Sequence, residues 1–241
     1  MTDTGGRGHA PRPRKRQVLE RLTFAAGAVT GLRALDTSGA RFLLSVGEVD
    51  GRVSAEMIGD FKLSVGRLLS ELEAADLTVA THRLQVFDQG VSLLSIKARS
   101  VRELTLALRR RGATEPEAKD ATARMVELRL LDDAAYAKAV AQSKVASGRM
   151  SKRRVQQELA RRGVAPELVR SAIGEVVEEA GGLDEHDAAL ALAQKRMRSL
   201  GGLDAPTAKR RLYAFLARRG YDGGVVKKVV SEVVRGVAAD D

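Results

Sequence analysis

The sequence contains no cysteine and no tryptophan. The first absence excludes a disulfide framework, thiolate metal sites and a cysteine nucleophile. The second, with aromatics at only 3% of residues, argues against recognition built mainly on base-stacking platforms. Long apolar runs are also missing. Nothing approaches the ~20 residues of a membrane-spanning helix, and the N-terminus has no apolar signal core. A cytoplasmic location is therefore expected. The phosphate-binding loop Gly-x-x-x-x-Gly-Lys-Ser/Thr, the dinucleotide fingerprint Gly-x-Gly-x-x-Gly and the zinc motif His-Glu-x-x-His do not occur. The three histidines, His9, His82 and His186, lie too far apart for one helix to converge them on a metal. No enzyme, cofactor or metal is expected.

What is present is positive charge. Forty-one Lys and Arg face thirty-one Asp and Glu, a net charge of +10 over 241 residues. The excess is unevenly placed. Residues 1–21 carry a net +4 with Gly5, Gly6, Gly8, Pro11 and Pro13 among them, which reads as a disordered basic arm. Residues 22–98 are at −2, and residues 99–241 at +8. A basic surface poor in aromatics points to phosphate backbones or acidic protein surfaces.

The periodicity changes at the same boundary. Val29–Leu35 and Arg41–Val46 read as strands, with Asp50-Gly51 as a turn before a third strand over 52–57. Ser70-Glu71-Leu72-Glu73 fits a capping box opening a helix. A longer helix is expected over 80–98, with Leu84, Phe87, Val91, Leu94 and Ile96 on its buried face and Gly90 as a candidate break. Residues 22–98 thus form a small α+β module.

From residue 100 onward the strand pattern disappears and the chain repeats itself. Leu-x-Arg-Arg-Gly occurs at 108–112, 159–163 and 216–220, with glycines 51 and 57 residues apart. Apolar residues recur eight and four positions before each glycine, and nine and thirteen after it. The expected unit has three helices. The first ends at Arg-Arg with Gly112, Gly163 or Gly220 in the left-handed conformation. The second opens at Pro116 or Pro166. The third is capped at Asp132-Asp133 or Asp184. The fold class is mainly α: tandem three-helix repeats at 99–148 and 149–203 and a truncated one at 204–241, ending in a helix to about Arg235. These form an elongated array behind the α+β module.

The repeat sorts the arginines. Arg102, Arg153 and Arg210 lie ten positions before their glycines, and Arg110, Arg161 and Arg218 two before. At 100° per residue both sets point away from the apolar stripe. Arg154, Lys209 and Arg211 thicken the patch. These nine are the candidate residues for contact with a polyanion, whether acidic protein or nucleic acid. Arg111, Arg162 and Arg219, one position before each glycine, fit a structural role beside the core and the negative helix end. Asp132-Asp133 could form a metal or acid–base site, but before Ala134 and Ala135 it fits a helix cap better.

The run Arg99-Ser100-x-x-Glu103-Leu104-x-x-x-Leu108, then Gly112, then Leu130-Leu131-Asp132-Asp133-x-x-Tyr136-Ala137, resembles the RecX regulatory family. Val155, Leu159 and Gly163 continue the resemblance in the second unit, and Leu212 and Arg218–Tyr221 in the third. The basic arm and the long connection between second and third units depart from it. The resemblance implies a regulator of the RecA recombinase that binds its filament on single-stranded DNA and inhibits it. A monomer is expected, with single-stranded DNA as a further candidate partner. The alternative is a direct DNA-binding protein with helix-turn-helix-like units. Against this, the arginines repeat on the first helix of each unit, and the third helices offer only Gln142 and Gln194 as amide side chains. A scaffold with no nucleic-acid role fits the +8 array poorly.

Overall fold

The computed structural model describes Leu19, residues 21–182 and residues 184–240. Apart from Leu19 and Arg21, the basic arm expected at 1–21 lies outside the described residues. The described chain is mainly helical, with a small strand module ahead of three-helix groups. It divides into two compact units, one containing residues up to Gln89 together with Ala107–Ala121, the other Gly90–Leu106 with Thr122 onward.

In the first unit, β1 (Gly27–Ala34), β2 (Arg41–Val46), β3 (Val49–Ser54) and β4 (Leu68–Leu69) form an antiparallel sheet in the order β3-β2-β1-β4. The expected turn at Asp50-Gly51 is instead part of β3. The chain reverses one step earlier, where Val46 pairs with Val49 and Gly47 takes φ +61°. Gly51 is needed in the strand because the Phe24 ring lies on it. A Cβ there would sit 2.5 Å from Phe24 Cζ. The third strand also stops short of Met57. Ser54 accepts a hydrogen bond from Met57 N and opens α1 (Ala55–Asp60). Val29, Leu44, Val53, Leu69 and Leu77 form the centre of the core.

One helix, α2 (Glu71–Ile96), replaces the two segments read from the sequence. Ser70 and Glu73 cap it reciprocally: Glu73 N donates to Ser70 Oγ at 3.3 Å, and Ser70 N to Glu73 Oε2 at 2.9 Å. Gly90 does not break it. A Cβ at Gly90 would sit 2.3 Å from Met125 Cε, so the glycine admits a close packing contact. The buried face also differs from expectation: Leu77, Thr81, Val86 and Leu93 are buried, whereas Val91 is 40% and Ile96 69% exposed. Apolar residues surround this helix, so their spacing does not select one face.

Helices α3 (Val101–Arg109) and α4 (Glu115–Glu127) follow, then α5 (Asp133–Ala141), which continues as a π-helical turn over Gln142–Ala146. The rest is α6 (Lys152–Arg161), α7 (Pro166–Glu179), α8 (Glu185–Met197), α9 (Ala205–Arg218) and α10 (Gly223–Asp240). The last helix runs beyond the expected end at Arg235. No described helix is long and apolar enough to cross a membrane.

The cores group these helices one element earlier than the glycine punctuation does. Tyr136, Ala137, Val155, Leu159, Val169 and Ile173 join α5, α6 and α7 in one core. Ala189, Ala193, Leu212, Leu216, Val226 and Val229 join α8, α9 and α10 in the next. In the second unit, Gly90, Leu104 and Met125 bring α2, α3 and α4 together. Each glycine therefore ends a middle helix, and α8–α10 is a complete three-helix group rather than a remnant. Ala137 with Ala141, and Ala189 with Ala193, are fully buried at i, i+4. Their small side chains permit close approach of α5 to α7 and α8 to α10.

Candidate functional site

The middle helices α3, α6 and α9 carry the arginine pattern. Ser100 with Glu103 starts α3 in a capping box, Ser151 caps α6 and Asp204 caps α9. Gly112, Gly163 and Gly220 end these helices at φ +104°, +80° and +84°, the left-handed region that glycine enters without strain.

The second unit repeats a joint between one middle helix and the next. Ser100 Oγ donates to Arg162 O at 2.6 Å, and Ser151 Oγ donates to Gly220 O at 2.7 Å. Ser151 N donates to Arg219 O at 3.1 Å. Acidic residues complete both joints. Asp133 accepts from Val101 N at 2.9 Å, and Glu185 accepts from Lys152 N at 3.1 Å. Thus Asp132 caps its own helix through Ala134 N and Ala135 N, while Asp133 caps the start of α3. Burial pushes the Asp133 carboxyl above its usual range. Both aspartates are occupied in helix capping, and no cluster of potential metal ligands occurs among the described residues.

Side chains close the same joints. The Arg102 stem lies over Gly163, where a Cβ would be 2.2 Å from Arg102 Cδ. The base of Arg154 lies over Gly220, with its Cβ 2.6 Å from the corresponding position. Tyr136 Oη donates to Glu103 Oε2 at 3.1 Å and accepts from Arg162, which also pairs with Glu158. Lys144 Nζ reaches Glu158 at 2.5 Å. Burial opposes the charge on Glu158, but Lys144 and Arg162 outweigh it and hold the carboxyl below its usual range. Tyr221 Oη donates to Gly148 O at 2.7 Å, and burial pushes its phenol up to about 12.

Eight of the nine candidate cations are exposed: Arg102, Arg110, Arg153, Arg161, Lys209, Arg210, Arg211 and Arg218. Arg154 is half-buried, because its stem covers Gly220. Among the described residues none of the nine has a carboxylate within ion-pair distance. Each joint sets the start of one middle helix beside the end of the next. Arg102 therefore sits at the joint with Arg161, and Arg153 and Arg154 at the joint with Arg218. Lys209, Arg210 and Arg211 lie one to two turns into α9, away from that joint, and Arg110 belongs to the other compact unit. The three arginines before the glycines behave differently. Arg162 is in the Glu103–Tyr136–Glu158 network, and Arg219 stacks 3.7 Å from the Phe215 ring centroid. His82 Nδ1 lies 3.1 Å from Glu117, and His186 lies beside Asp187 and Glu232. His9 lies outside the described residues.

This geometry defines a class: serially joined three-helix groups with capped middle helices and unpaired outward cations. Residues 132–173 match the family model described as the RecX second three-helix domain, and residues 184–230 the third. Regulatory protein RecX of Amycolatopsis mediterranei is 36% identical over 148 residues, covering 61% of this chain and 82% of that protein. Regulatory protein RecX of Streptomyces coelicolor is 32% identical over 142 residues, covering 59% and 73%. A crystal structure of regulatory protein RecX shares the fold with TM-score 0.62 at 18% identity, covering 85% of this chain and 98% of that one. The chain belongs to the RecX family of regulatory proteins.

Proposed function

We propose that this protein is a cytoplasmic, non-enzymatic, monomeric regulator that binds the RecA filament on single-stranded DNA and inhibits the recombinase. Beyond family membership, one observation carries the reading: among the described residues, the outward cations on α3, α6 and α9 have no carboxylate within ion-pair distance. Unpaired surface guanidinium groups suit bidentate contact with phosphate or carboxylate. Their recurrence on successive middle helices suits a partner that is itself repetitive and negatively charged.

Replacing Arg153, Arg161, Arg210, Arg211 and Arg218 together by Ser tests the face. Arg154 is left in place because its stem covers Gly220. Exposed sites change stability by only about 0.5 kcal/mol each, so the variant should remain folded. It should inhibit RecA-driven strand exchange far less than the wild type. Each lost phosphate contact should lower the salt slope of binding by about 0.7 on single strands. A folded variant with wild-type inhibition would remove these arginines from the mechanism.

A further inference from the structure

A second surface shares Arg218 with the outward arginine face but is otherwise built from different residues. Between the end of the π-helical turn, α8 and the end of α9 runs an open groove of about 1180 Å³. That exceeds the ~300–1,000 Å³ of small-molecule pockets and gives room for a polymer segment. Ala188, Ala191 and Leu192 form its floor on one stripe of α8, with Met150 and Phe215 from the neighbouring elements. Gly148, at φ +64°, lines it opposite Ala188, which a Cβ would meet at ordinary contact distance, 3.5–3.8 Å.

The groove is predominantly cationic, with Arg149, Lys195, Arg196, Arg218 and Arg219 against Asp184 and Asp187. Asp184 and Asp187 mark the N-terminal end of α8, while Lys195 and Arg196 lie at its other end with Arg218 and Arg219. Eight residues along a helix separate Asp187 from Lys195, about 12 Å at 1.5 Å per residue. Arg196 and Arg219 stand over the Phe215 ring at 5.4 and 3.7 Å from its centroid. Among the described residues these cations have no carboxylate within ion-pair distance. Burial and the neighbouring Arg218 and Arg196 charges lower the Arg219 pKa. A negative ligand would relieve that repulsion.

We propose that this groove docks an extended acidic peptide from a partner protein. Its carboxylates would pair with Lys195, Arg196, Arg218 and Arg219, and an adjacent apolar side chain would rest on Leu192 and Phe215. Clustered arginines beside an apolar floor are the chemistry that recognises acidic motifs. A single nucleic-acid strand fits less well. Its bases need open aromatic faces, but Arg219 already stacks on Phe215 and the remaining floor is aliphatic. The proposal goes beyond the filament reading and does not depend on RecA.

The test uses the full chain and a fluorescein-labelled peptide, Ala-Phe-Asp-Glu-Asp-Glu, followed by fluorescence anisotropy without RecA or DNA. Saturable, salt-sensitive binding is expected. Lys195→Ser with Arg196→Ser should weaken it by about tenfold or more, equivalent to about 1.4 kcal/mol. Replacing the peptide's Phe by Ala should also weaken it. The control Arg153→Ser with Arg161→Ser, outside the groove, should bind the peptide as the wild type does while losing filament inhibition. Unfolding midpoints establish that each variant is folded. No saturable binding, or equal binding by the Lys195/Arg196 variant, overturns the proposal. So does displacement of the peptide by labelled oligo(dT) whose own binding is lost in that variant, because the groove would then follow nucleic acid.

Discussion

Gly163 has two separate reasons to be glycine: its φ of +80° and the Arg102 stem where a side chain would begin. The repetition of Arg-Arg-Gly makes the first reason legible in the sequence. The second is invisible there, because the contact joins residues 61 positions apart. Gly163→Val should therefore destabilise the fold by about 1–3 kcal/mol from backbone strain alone, with further cost from displacing Arg102. Urea denaturation checks this, and a wild-type midpoint would contradict it. Asp133 was legible as part of a cap but not as the cap of a distant helix. Tyr221 offers a spectroscopic test at the same scale. Its phenol is raised from 10.0 to about 12, so the folded chain holds the proton more tightly than the unfolded chain. That contribution to stability is complete below pH 10 and is lost as pH rises from 10 toward 12. Burial also raises the Tyr136 phenol, so ultraviolet titration should show two late-ionising tyrosines, one of them lost in Tyr221→Phe. An unchanged curve in that variant would contradict the assignment.

Middle helices are joined end to start, and the joining groups are few and buried. Ser151 is only 2% exposed, and its hydroxyl satisfies both Gly220 O and Arg154 N. Ser151→Ala leaves both unpaired and should cost about 1–3 kcal/mol. Ser100→Ala, at the equivalent joint with Arg162 O, should cost a similar amount. Equilibrium denaturation measures both, and losses within error of zero would mean that water replaces these bonds. At this scale the sequence was legible where punctuation is strong. Gly112, Gly163 and Gly220 end helices, Pro166 opens one, and Asp132 and Asp184 cap two. It misled where one residue type serves two purposes. Gly51 signals a turn but occupies a strand under Phe24, and Gly90 signals a break but admits Met125. Alanine occurs in all the later helices, so periodicity found them without showing which three share a core.

For the whole molecule, the mainly helical fold was legible from order and spacing, and the family from the resemblance that the ordered motifs carry. The phase of the repeat was not, because local signals mark helix ends whereas Leu159 and Leu216 each enter a core built with the helix before and the helix after. The cations were legible as outward positions, and the structure adds that the joints set Arg102 beside the end of α6 and Arg154 beside the end of α9. The groove over Phe215 was not legible, since it draws on three segments that share no motif. If those cations engage an assembled filament, binding should require the filament itself. The most direct measurement is binding of the labelled full-length protein to single-stranded DNA, with and without RecA and nucleotide, across a salt series. The account predicts much tighter binding when the filament is present, with weak and strongly salt-dependent binding to naked DNA. Equally tight binding with and without RecA would contradict it and make the protein a direct DNA binder.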